Sequence, residues 1–358
     1  MKNFFSDLKV IELANVLAGP AVGMFFAELG AEVLKIENML TNGDVTRSWK
    51  LSKEDPASPV SAYFASVNWN KKFIRVNLTL QADKQKVYEL VKTADIVICN
   101  YKPGDDVKLG MDHDTIKSLN PAIIYAGITG FGEHTKRTAY DLVLQAETGF
   151  MSMNGNKASG PLKMPVALID VLAAHQLKEG ILIALINRYR TGKGSKVSVS
   201  LYDAAIASLA NQASNWLMAN ENPQPIGSLH PNIAPYGEFF LTSDDQQIVL
   251  AVGNNKQFLH LLKVLGNENL ASDERFQTNT GRVTHRGELY EELKGSFRNA
   301  DAESLMENFI AHDVPAGVIK SLKEVFKDEA AKKLINSGMS ENMKTYSVKT
   351  AIFRIEEN

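Results

Sequence analysis

The pattern that most constrains this chain is its opening. Leu8 to Leu13 (LKVIEL) is a short apolar run. The loop ANVLAGP follows, then an apolar helical stretch from about Ala21 to Leu29, then a second strand-like run, AEVLKIE. Strand, helix and strand in that order favour a parallel sheet. The alternation continues. Phe73–Leu78, Asp95–Cys99 (DIVIC), Pro121–Thr129 (PAIIYAGIT) and Lys196–Ser200 read as strands. Gln81–Thr93, Tyr140–Met151 and Tyr202–Ala219 read as helices. Strands alternating with helices over this length predict an α/β, doubly wound domain.

The character changes after residue 219. Residues 220–237 hold four prolines and read as a linker. Phe239–Thr242 and Gln247–Val252 flank SDD, a hairpin pattern, and helical stretches follow at Lys256–Leu265, Arg286–Arg298 and Ala302–His312. VPAGVI, residues 314–319, looks like a return to the first domain. The expected division is a large domain over residues 1–222, a linker and smaller α+β domain over 223–313, and a return to the large domain over 314–358.

Charge restricts the partners. The net charge is −2, with charged residues at 22% spread along the chain, so neither nucleic acid nor an anionic membrane is the expected partner. No apolar run is long enough to span a bilayer, and MKNFFSDLKV lacks a secretory signal, so a cytoplasmic protein is expected. Cys99 is the single cysteine and closes an apolar strand, where a core thiol is expected rather than a nucleophile. The seven histidines show no ligand spacing, and no metal site is expected.

The chemistry points to Pro165–Gly194, PVALIDVLAAHQLKEGILIALINRYRTGKG. Val166–Ile169 reads as a short apolar strand, Asp170 follows, and Val171, Ala174, Leu177, Ile181 and Leu185 mark one face of a long helix. Gly192 is its stop signal. Asp170 therefore stands at a strand-to-helix junction. There it can be an N-cap, a catalytic carboxylate or both. The glycines after the first strand (Gly19, Gly23, Gly30) lack the G-x-G-x-x-G spacing of a dinucleotide site. Lys71–Lys72 precede a strand, Lys102 and Lys108 follow the strand ending at Cys99, and Arg137 precedes the Tyr140 helix; cations so placed suit a polyphosphate, although for any one of them a solvated face is the favoured reading.

Together these segments resemble the family III CoA-transferases, the type that includes formyl-CoA:oxalate and carnitine CoA-transferases. The motifs that carry the resemblance are LKVIELANVLAGPAVGMFFAELGAEVLKIE (8–37), NWNKKFIRVNL (68–78), ADIVICNYKPG (94–104) and ALIDVLAAHQLKEGILIAL (167–185). RTGKGSKVSVSLYDAA (190–205), HPNIAPYGEF (230–239) and HDVPAGVI (312–319) complete them, in family order over nearly the whole chain.

The resemblance implies a Rossmann-like large domain built from both chain ends, a smaller α+β domain and an interlocked homodimer. It implies Asp170 as the catalytic nucleophile, with coenzyme A or acyl-CoA as substrate, a carboxylic acid as the other small-molecule partner, and no prosthetic group. Asn15, Val16, Leu17, Ala18, Asn100, Tyr101 and Lys108 match the family's CoA-contact positions, and Arg137 joins them as a phosphate-binding candidate. Asn38 takes a place where the family often has a basic residue. Gly253, Asn254 and Asn255 match a loop that closes over the active site. The same fold hosts α-methylacyl-CoA racemases, which carry a histidine before the aspartate of G-H-D. Here TAYD puts Tyr140 in that place, lining the site, and tyrosine's ordinary pKa suits it poorly as a base. A transferase is therefore expected, with a racemase-like enzyme or a silent CoA-binding protein as the alternatives. Leu17 stands where oxalate-using relatives have glutamine, which favours a less polar acid.

Overall fold

The computed structural model describes residues 4–356. A six-stranded parallel sheet organises the first of two compact units. Its strands are β1 (Lys9–Leu13), β2 (Glu32–Asn38), β3 (Lys72–Val76), β4 (Ile96–Cys99), β5 (Ile124–Thr129) and β6 (Ser195–Ser200). They lie in the order β3-β2-β1-β4-β5-β6, every neighbouring pair parallel. Alternate side chains point to opposite faces of a strand. Ile96 and Ile98 therefore join one core with Val10, Phe26 and Leu177, while Val97 and Cys99 join another with Ile11, Val87 and Ile116. Both faces of the sheet are covered, as a parallel sheet requires. Burial pushes the Cys99 thiol up to about 12, so it is the core thiol its strand position predicts.

Two glycines of the first helix, Ala18–Glu28, are required by close approach. A Cβ on Gly19 would lie 2.3 Å from Ala14 Cβ, and one on Gly23 would lie 1.9 Å from Glu12 Oε2. They seat the helix on β1 and leave room for buried charges rather than cradling a pyrophosphate.

Several elements differ from the sequence reading. Val166–Ile169 is not a strand: the long helix runs Leu168–Thr191 and already contains Ile169. Its apolar residues favour burial but cannot by themselves distinguish strand from helix. The helical pattern at Tyr140–Met151 breaks at Gly149, whose φ is +89°, into Asp141–Glu147 and Phe150–Met153. Tyr202–Ala219 breaks likewise into Leu201–Ala207 and Ala210–Ala219. A C-terminal hairpin, Ile335–Ser340 with Met343–Val348, turns through Glu341 and Asn342, both at positive φ as a two-residue hairpin turn requires.

The second unit comprises residues 153–162 and 224–331. Tyr236–Leu241, Gln247–Ala251 and Ala316–Val318 form an antiparallel sheet with the middle strand at its centre. The expected return at residue 314 is thus displaced. Ala316–Val318 completes this sheet, and the chain rejoins the first unit at Lys332. Its core gathers Phe240, Leu250, Phe258, Leu261, Phe297 and Phe309.

Candidate active site

Strand order reverses between β1 and β4, and ligands of open α/β sheets bind beyond the strand C-termini at such a switch point. The loops leaving those strands are clasped together. Asn100 Oδ1 accepts the Asn15 N–H at 3.0 Å, and Asn100 Nδ2 donates to the Asn15 carbonyl at 2.8 Å. Val16 follows at φ +71°, a conformation a β-branched residue adopts only when its surroundings impose it. The Asp44 carboxylate accepts its N–H at 3.1 and 3.3 Å.

Beneath this loop lies a buried network of alternating charge. Lys35 Nζ contacts Glu12 at 2.9 Å, Asp44 at 3.0 Å and the Ala14 carbonyl at 2.5 Å. Lys71 contacts Glu12 at 2.7 Å, the Pro20 carbonyl at 2.8 Å and Asn68 at 2.9 Å. Glu37 accepts from the Asp44 N–H and from Arg47. Burial by itself lowers the Lys35 pKa, but Glu12 and Asp44 outweigh it and hold the ammonium above its ordinary range. Of these residues the sequence singled out only Lys71, as a cation for a polyphosphate; its ammonium is instead buried against Glu12, while Lys72 beside it is exposed and pairs with Glu32.

A cavity of about 280 Å³ opens at the switch point. Asn15, Val16, Leu17, Ala18, Asn100, Tyr101, Arg137, Tyr140 and Asp170 all line it, joined by Lys102 and Thr138. A second cavity, of about 130 Å³, shares Asn15 and Tyr101 and extends past Asn38, Leu40, Leu78 and Leu109. Lys102 Nζ donates to Thr138 Oγ1 at 2.7 Å. Arg137 lies 4.4 Å over the Phe131 ring and pairs with Glu147. Lys108 does not line the first cavity. The short helix Asp105–Leu109 points it outward, where it pairs with Asp105 at 2.9 Å. Gly253–Asn255 belong to the second unit, where the segment is well anchored: Gly253 N–H bonds Gln257, Asn254 caps the helix Asn255–Leu265, and Asn255 accepts from the buried Arg282.

Asp170 lies in the first turn of the Leu168–Thr191 helix, 8% exposed. It is not the N-cap. That position is Ala167, which offers no side-chain acceptor. Asp141 supplies one, its Oδ1 accepting Ile169 N–H at 2.7 Å and Asp170 N–H at 3.4 Å. Those two amides are therefore occupied and are not the open oxyanion donors a helix start suggests. Burial first, and the charge of Asp141 second, push the Asp170 carboxyl up to about 7. Tyr63 also feels Asp170, Asp141 and Asp44. Burial and these carboxylates push its hydroxyl up to about 12, so it keeps its proton. Neither Asp141 nor Tyr63 carries a signal in the sequence reading beyond the TAYD motif.

The switch point of this doubly wound sheet thus holds a cavity with a buried carboxylate, Asp170, in its wall, the place where an α/β fold takes a small-molecule ligand. Residues 5–357 match the pattern of CoA-transferase family III, and the chain belongs to that family. It is 38% identical over 329 residues to a succinate–glutarate CoA-transferase of Agrobacterium fabrum, covering 90% of this chain and 82% of the relative. It is 32% identical to an acetyl-CoA:oxalate CoA-transferase of Acetobacter aceti, covering 94% and 87%. The crystal structure of a CAIB/BAIF family protein from Brucella suis superposes with a TM-score of 0.83 at 36% identity, covering 97% of this chain and 91% of that one. The protein is thus a family III CoA-transferase acting on CoA thioesters.

Proposed function

We propose that the protein moves CoA between carboxylic acids through covalent intermediates on Asp170. The observation that supports this most directly is the Asp170 carboxylate itself: buried at the cavity, with no hydrogen bond to its oxygens among the described residues. Water normally weakens a carboxylate as a nucleophile, and this one is largely free of it. Asp170 attacks the donor thioester carbonyl, the C–S bond breaks, and CoA leaves as thiolate with the electron pair. The thiolate attacks the aspartyl carbonyl of the mixed anhydride. The donor acid leaves as carboxylate, and an aspartyl-CoA thioester remains. The acceptor carboxylate attacks that thioester and expels the thiolate, which then takes the acceptor acyl group and frees Asp170. No net proton or electron is consumed.

CoA spans both cavities in this reading, its thiol end at Asp170 and its adenine in the apolar slot of Leu40, Leu78 and Leu109. Lys102, Arg137 and Lys108 supply charge for its phosphates, Arg137 and Lys108 by leaving Glu147 and Asp105. Leu17 in the cavity, together with the dicarboxylic acids in the A. fabrum relative's name, supports a dicarboxylic acid longer than oxalate as acceptor. A donor–acceptor screen followed by mass should show CoA passing from succinyl-CoA to glutarate with no incorporation of solvent deuterium at the α-carbon. Deuterium wash-in without transfer would assign a racemase instead.

The working unit is proposed to be an interlocked homodimer. Ile183, Ile186 and Tyr189 on the long helix, and Trp216, Leu217 and Met218 on a later one, are half or more exposed, an apolar surface suited to a second copy of the chain. Light scattering should return twice the chain mass at every dilution that preserves the fold. A folded, active monomer would rule this out.

A further inference from the structure

Asp141 is a second carboxylate at the site, and its bonds are unlike those of Asp170. It opens the helix Asp141–Glu147. Its Oδ1 takes the amides of Ile169 and Asp170, and its Oδ2 accepts from Gln145 Nε2 at 2.6 Å. Gln145 is fully buried and accepts the Met164 N–H at 2.8 Å through its own carbonyl oxygen. Asp141 and Gln145 together thus hold both ends of the segment from Met164 to Asp170.

A carboxylate in the first turn of a helix is ordinarily stabilised by the terminal amides and the helix dipole. At Asp170 those amides point to Asp141 instead. Asp141 gains the stabilisation, and Asp170 gains a negative neighbour. We infer that Asp141 is a positioning residue that fixes the place of the Asp170 carboxylate and keeps it reactive by taking the helix-terminal donors for itself. The inference rests on Asp170 being the nucleophile. The upward push on the Asp170 carboxyl, from burial first and Asp141 second, agrees with it.

The other titratable groups around Asp170 are Tyr140 beside Asp141, Tyr63 from the Ala62–Ala65 helix, and Lys102 and Arg137 at the cavity. The Ala18–Glu28 and Leu201–Ala207 helices present only Ala18 and Leu201 there. Among the described residues Asp141 is therefore the one carboxylate directly bonded to the Asp170 backbone.

The test is hydroxylamine trapping of the aspartyl adduct formed from succinyl-CoA, measured from about pH 5 to about pH 9 across the titration of the nucleophile. Asp141→Asn keeps an acceptor for both amides and removes the charge. The acid limb of trapping at residue 170 should move to lower pH by about one unit. Asp141→Ala removes the acceptor as well, and trapping should slow by roughly 10²-fold as the carboxylate loses its placement. If the alanine variant does not fold, the asparagine variant still decides. Trapping at residue 170 with the same acid limb and rate in Asp141→Asn as in the wild type overturns the inference and leaves the nucleophile assignment standing. Absence of any adduct at residue 170 in the folded wild type overturns both, and is told apart by that control.

Discussion

Asp170→Asn should abolish CoA transfer while leaving a folded protein that binds CoA. Asparagine has nearly the same shape but cannot form the anhydride, so the covalent route is lost rather than slowed. The same substitution should stabilise the fold at neutral and alkaline pH. In the folded chain the Asp170 carboxyl is raised from 3.8 to about 7. Folding thus favours its protonated form. That contribution is fully present below pH 3.8 and is lost as pH rises through about 7. Above that pH the wild type carries an ionised carboxylate where the fold prefers a neutral one. A shift of roughly three units, at about 1.4 kcal/mol each, bounds the gain in Asp170→Asn at about 4 kcal/mol. Thermal unfolding at pH 8 and pH 4 checks the sign, since the variant's advantage should shrink on acidification. Near-normal turnover in Asp170→Asn would end the nucleophile assignment. A variant less stable than wild type at pH 8 would contradict the ionised, poorly solvated carboxylate.

Lys35→Met should be among the most destabilising single substitutions in the large unit. Lys35, Glu12 and Asp44 have fully buried side chains, and removing one partner of such a cluster leaves carboxylates unpaired in the interior. The cost is about 3–5 kcal/mol. Lys72→Met is the control, since the Lys72–Glu32 pair has side chains 71% and 50% exposed and is worth at most about 1 kcal/mol. Urea unfolding of the two variants should separate them plainly, and equal midpoints would show the network to be incidental. CoA affinity should fall in Lys35→Met even where the protein stays folded. Lys35 holds the Ala14 carbonyl and orders Asp44, which in turn holds the strained Val16 amide in the cavity wall. Because its folded pKa is raised, the Lys35 contribution is present below pH 10.5 and is lost only as pH climbs beyond it.

These two residues sit at opposite extremes of what a buried charge does. Lys35 is satisfied on every side and holds a loop in place. Asp170 has burial without donors to its oxygens among the described residues, which disfavours its anion.

The strand–helix alternation was legible because buried parallel strands and their crossover helices need unbroken apolar runs. LKVIEL, DIVIC and PAIIYAGIT are short, rich in β-branched residues and bounded by helical stretches, and that alternation points to a parallel sheet. Asp170 was legible as a lone carboxylate ahead of a long apolar helix, and the family motifs marked the loops after β1 and β4. Other features depended on partners far away in the chain. Asp141 caps a helix 28 residues further on, so the capping residue expected at Asp170 is found elsewhere. Lys35 on β2 and Lys71, just ahead of β3, meet at Glu12, and Gly23 is needed because those side chains fill the space beside it. VPAGVI reads as a return to the first domain, but its antiparallel register with Gln247–Ala251 puts Ala316–Val318 in the second unit's sheet. Local pattern determines what an element is, because periodicity and propensity act within a few residues. What the element pairs with, and whether a charge is buried beside a partner or left bare, is settled only when the tertiary fold brings distant side chains together.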